Sequence, residues 1–221
     1  MPKITVAGRA TQNIPAERGT VRVTVAFRGQ RREEVLSRTT EVHAWIVAQA
    51  KDRVTHRAAT WWGSDQVSAA PYDEWIKPSA QEEKVKVTRF RASAVVQVKF
   101  RDFGALSAWV SEITVADGVT VNGVDWALTE VRRDAAVAEV RRDAARDAVD
   151  RAQAYADALG LGPVRLTAMY EEGLRPHVSP GGGFSGVAMR AAAAPGSTGG
   201  IELRPDDVEV TALVTADFET S

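Results

Sequence analysis

The chain has 221 residues, 44% of them hydrophobic and 26% charged, with a formal net charge of -1. That length can bury a substantial core as one domain or two small ones, and the near-neutral charge leaves no electrostatic footprint for nucleic acid or an anionic membrane. Cysteine is absent, which removes disulfides, thiol catalysis and Cys-ligated metals, and no apolar run approaches the roughly 20 residues that cross a bilayer.

The opening MPKITVAGRA enters a strand pattern without the apolar stretch of a signal peptide, so cytoplasmic residence is expected. Residues 3–8 and 20–27 read as strands. In the second, Val21, Val23, Val25 and Phe27 alternate with polar residues, and Gly19 in the connection predicts a hairpin. From Glu33 to about Arg53 the period becomes helical, with Val35, Leu36, Thr39, Val42, Ile46 and Ala50 on one face. A third strand is expected over residues 55–67. Residues 71–84 hold two prolines and four acidic side chains and read as a loop.

Residues 85–100 form a long strand whose apolar phase changes, which predicts a bulge or bend near Arg89 and Phe90. Asp102 is placed to cap a short helix that turns Leu106, Trp109, Val110 and Ile113 inward. The following strand changes phase at Asn122-Gly123, again as a bulge. A long Ala-rich helix then runs over residues 132–159, with Val137, Val140, Ala144, Ala148, Ala152, Tyr155, Ala156 and Leu159 at helical spacing. Gly160 suits its left-handed cap, and Pro163 ends it. A strand follows at residues 164–169. Residues 179–200 are Gly-, Ala- and Ser-rich and predict a mobile loop. In the final strand Val208, Val210, Ala212, Val214, Ala216 and Phe218 alternate strictly.

Three blocks together resemble one family. They are ITVAGRATQNIPAERGTVRVTVAF near the start, GVTVNGVDWALTE with the helix and ALGLGPV after it, and the closing PDDVEVTALVTADFE. In order and spacing they resemble the SIMPL-domain family, long catalogued as a domain of unknown function. The resemblance implies an α+β protein of two layered sheet-and-helix units with mainly antiparallel sheets. It also implies homo-oligomeric assembly, which is known among members, and it brings no catalytic residues, metal or cofactor. Many members are exported and linked to envelope or stress phenotypes. The expected units are residues 1–70 with 201–221 (hairpin, helix and terminal strand) and residues 85–175, with a flexible loop at 176–200.

Little in the chain reads as chemistry. Gly181, Gly183 and Gly186 satisfy G-x-G-x-x-G, but outside the strand-to-helix turn that a dinucleotide needs. His43, His56 and His177 share no close spacing, and His43 reads as a hydrogen-bonded core histidine. Asp206-Asp207 and Glu171-Glu172 read as solvated turn residues. No cofactor is expected. The residues chosen as a candidate interface or ligand groove are Trp61, Trp62, Tyr72 and Trp75, with Val208, Val210, Val214 and Phe218 of the terminal strand. Core packing is the competing reading of the tryptophans. The expected function is a non-enzymatic homo-oligomeric scaffold that binds itself; the alternative is a small-molecule binder or enzyme with a pocket between the sheets near Trp61 and Trp62.

Overall fold

The computed structural model describes residues 2–77, 83–175 and 203–220. Among these, the elements follow in the order β1 (Lys3–Pro15), β2 (Arg18–Gly29), α1 (Arg32–Thr55), β3 (Ala59–Ser64), β4 (Ser68–Ile76), β5 (Val85–Phe100), α2 (Phe103–Ile113), β6 (Val119–Ala127), α3 (Glu130–Ala158), β7 (Val164–Glu171) and β8 (Asp207–Thr220). The fold is mixed α+β with two antiparallel sheets. The expected loop at residues 179–200, with its glycine motif and His177, lies outside the described residues.

The chain divides into two compact units, and the cut differs from the one read from sequence. One unit joins β1, α3, β7 and β8; the other holds β2, α1, β3, β4, β5, α2 and β6. The expected β1–β2 hairpin is replaced by a switch of sheets. β1 pairs with β8 over its whole length, from Lys3 opposite Glu219 to Pro15 opposite Asp207, while β2 pairs with β5 and β6. Short-range turn signals could not reveal this, because the partner of β1 lies some two hundred positions further along the chain.

In the first unit the sheet order is β1-β8-β7, roofed on one face by α3. Thr129 caps the helix, accepting from the Arg132 N–H at 3.4 Å. At the other end the Leu161 N–H reaches the Ala156 carbonyl and the Gly160 N–H the Asp157 carbonyl, with Gly160 at φ 66°. This paired closure is the glycine stop read from sequence. Ala144, Ala148 and Ala152 pack on Val6, Val214, Ala216 and Phe218, and Ala136 and Val140 pack on Ile14 and Val210. The buried row therefore advances in steps of four residues, from Ala136 to Ala156. Such a row drifts roughly 40° around a helix at each step, so the contact line winds around α3 instead of following one straight face. Tyr155 and Leu159, placed inward by a straight 3.6-residue stripe, are exposed for that reason.

The second unit has sheet order β3-β5-β2-β6, with β4 also on β5. Helices α1 and α2 cover one face, where Val21, Val23, Val25, Val96, Val98 and Phe100 meet Ile46, Ala50, Leu106, Trp109 and Ile113. Asp102 caps α2 as expected, accepting from the Ala105 N–H at 2.9 Å. Asn122-Gly123 is a bulge in one continuous β6: the register against β2 slips between Arg22 and Val23, and Gly123 has φ 132°, open only to glycine.

Two expectations fail in this unit. Residues 71–76 of the expected loop belong to β4, whose residues 68–76 are in register with residues 85–93 of β5. Pro71 is tolerated because β4 is an edge strand, where a missing N–H breaks no ladder. The bulge expected near Arg89 and Phe90 is absent, since β5 keeps unbroken register with β4 through both positions and with β2 from Phe90 onward. The phase change has another cause. Residues 85–89 run beyond the end of β2 and pair only with β4, so this stretch is a two-stranded arm outside the β2–β5 ladder that sets the inner face of residues 92–100.

Candidate functional site

The four aromatic residues singled out from sequence do not enclose a groove. Trp61 and Trp62 lie opposite Lys99 and Val98, so they fall on different faces of the sheet. Trp62 is half-buried against the helix-covered core, with the Lys51 ammonium 5.5 Å from its ring centre. Trp61 is 48% exposed on the open face, with Lys99 5.9 Å from its ring centre. Tyr72 is half-buried beneath the Arg28 guanidinium. Core packing therefore accounts for Trp62 alone of the three tryptophans.

Trp75 stands apart. It is 63% exposed on β4 opposite Lys86, in the arm formed by β4 and the start of β5. Ile76 lies opposite Val85, which is 44% exposed. Alternation places Trp75 on one face of the arm and Ile76 and Val85 on the other. The arm is held by cross-strand ion pairs, Lys86 to Asp73 at 2.7 Å and Arg89 to Glu74 at 3.2 Å. Of its apolar side chains, Trp75 and Val85 are exposed, while Ile76 and Val87 are half-buried.

The terminal strand lies inside its sheet. β8 is the central strand of its sheet, with both edges taken by β1 and β7. Val210, Val214 and Phe218 are buried under α3, and Val208 is half-buried. Strict alternation over a long strand marks a one-sided core equally well in a central strand and in a docking edge.

The profile of the SIMPL family, "Protein of unknown function (DUF541)", matches residues 4–218. The chain belongs to the SIMPL family. No curated protein matches it. Family membership carries no reaction with it, so chemistry in this SIMPL protein has to be sought in its own side chains.

Those side chains form no reactive constellation among the described residues. His43 Nε2 lies 2.5 Å from Ser64 Oγ, and partial burial holds the imidazole below its ordinary pKa. A histidine beside a serine is the first half of a nucleophile-activating pair. Here the serine hydroxyl also donates to the Asp65 carbonyl at 3.0 Å, and the contact joins α1 to the end of β3. It is a tie between two elements: the histidine is hydrogen-bonded as expected, but it is half-buried at the rim and not in the core. Glu171, Glu172, Asp206 and Asp207 are exposed, and Glu171 meets Arg141 at 3.2 Å. No group of three metal-ligating side chains occurs among the described residues, and no described helix is long and apolar enough to cross a membrane.

Arginine gathers where β2 hands over to α1. Arg28, Arg31 and Arg38 line a shallow cleft of about 280 Å³ with Glu34. The sequence reading missed it because arginines spaced over a strand end, a turn and a helix show no motif.

Proposed function

We propose that this SIMPL-family protein is a non-enzymatic interaction module that assembles with copies of itself, and that the β4–β5 arm makes the contact. The observation that carries this reading is the exposed Trp75 on an arm that also bears Ile76 and Val85 on its other face. A two-stranded ribbon is marginal by itself in water. Apolar side chains on both of its faces suit an arm laid between surfaces of a neighbouring copy, where tryptophan is a frequent anchor. The outer edge of β4 adds backbone donors and acceptors that a partner strand can take up.

Light scattering on the whole chain from low to high micromolar concentration tests the proposal. Mass should rise with concentration, and Trp75→Ala should shift the rise to higher concentration with an unchanged circular dichroism spectrum. A constant monomeric mass across that range would sink it.

A further inference from the structure

We propose that Trp75 of one copy seats in the apolar pocket beside α1 on a second copy. The inference rests on the self-assembly proposed above and names the surface that the β4–β5 arm meets. The pocket, of about 280 Å³, lies between the middle of α1 and the turn after α2, and is lined by Glu41, Val42, Trp45 and Ala116. Trp45 is 39% exposed there, and Val115, next to Ala116, is 85% exposed. A tryptophan laid into the hollow takes its own ring and that of Trp45 out of water together. Anchors of this kind pair with apolar counterparts near the centre of an interface.

Charge matches the arm to this pocket. Glu41, and Asp117 directly after Ala116, are exposed and make no ion pair among the described residues. Arg38, one turn earlier on α1, lies over the Phe27 ring and pairs with neither. On the arm, Lys86 stands opposite Trp75. Strand alternation, carried one residue past each strand end, sets Lys77 and Lys84 on the same face. Both are exposed and without an ion pair among the described residues. Asp73 on that face is taken up by Lys86 at 2.7 Å, so the free ammonium groups beside Trp75 answer the free carboxylates beside the pocket. The arm does not reach its own pocket. Gly118, just past Ala116, accepts from the Ala26 N–H, and Ala26 lies opposite Ser93. From Ser93 to Lys86 the strand runs roughly 23 Å away from that level, at about 3.3 Å per residue.

Light scattering on the whole chain, at concentrations where the parent assembles, tests the contact with two pocket variants, Trp45→Ala and Glu41→Arg. Both side chains are exposed, so the circular dichroism of each variant should match the parent. Each should move half-assembly to at least tenfold higher concentration. A one-to-one mixture of Trp75→Ala, which keeps the pocket, with Trp45→Ala, which keeps the arm, should give a species of two chains and nothing larger. Pocket variants that assemble like the parent, while Trp75→Ala does not, would overturn the pocket and leave the arm contact standing. So would a mixture that stays monomeric. A parent that never assembles, or a Trp75→Ala protein that assembles like it, would instead overturn the self-assembly reading, and this inference with it.

Discussion

Gly8 of β1 and Ala144 of α3 pack without room for a side chain between them. A Cβ on Gly8 would overlap the Ala144 carbonyl oxygen and stand 2.7 Å from the Cβ of Ala148. The neighbour on one side is helix backbone, which cannot rotate away. This contact brings the alanine row of α3 onto the sheet.

Gly8→Ala is therefore expected to cost about 2 kcal/mol or more, because strand and helix must separate to admit a methyl group. Ala148→Asp, at a fully buried position, should cost several kcal/mol by burying a carboxylate with no partner. Thermal unfolding checks both, with Tm drops of roughly 5 °C or more expected. A Gly8→Ala protein melting with the parent would show that the contact opens freely.

Asp147 of α3 binds β1 in a second way. Its carboxylate accepts the Arg9 backbone N–H at 2.8 Å and the Arg151 side chain at 2.8 Å. The Arg9 N–H first, and Arg151 after it, hold the carboxyl below its ordinary pKa. A lowered folded pKa stabilises the protein above the unfolded value, near 3.9, and that stabilisation fades as pH falls through the lower folded value. Asp147→Ala should thus be less stable than the parent at neutral pH, with the gap narrowing below about pH 4. Urea unfolding at several pH values reads this directly. A gap that does not change with pH would assign the loss to packing alone.

The Asp102 cap isolates a local contribution. Its side chain meets the Ala105 N–H, so Asp102→Ala should destabilise the protein by about 1 kcal/mol. Asp102→Ser or Asp102→Asn should recover most of that loss. Denaturant midpoints of the three variants test it, and equal loss in all of them would point to the carboxylate charge instead of the cap.

Removal of residues 206–221 separates the two roles considered for the terminal strand. β8 is central in its sheet and contributes Val210, Val214 and Phe218 to the packing under α3. The truncated chain should lose that unit's cooperative unfolding and the protection of α3 from hydrogen exchange. A truncated chain that keeps both, and loses only assembly, would return β8 to the role of a docking strand.

What the sequence determined by itself was local. The helix in α3 followed from alanine and i,i+4 charge pairs, its stop from Gly160, the start of α2 from Asp102, and the β6 bulge from Asn122-Gly123. Each is decided within a few residues, by backbone propensity or a single side-chain bond. The order of its blocks also carried the family. The tertiary structure alone decided pairing and facing. β1 passes over its neighbour β2 for β8 at the far end of the chain, residues 85–89 leave the sheet as an arm, and Trp61 and Trp62 part to opposite faces. The residues that line the cleft come together only once β2 and α1 are in place. Alternation and helical period specify which side of an element is apolar. They leave open what covers it, because the hydrophobic effect has no direction and the winning partner is the one that the whole chain can bring into register.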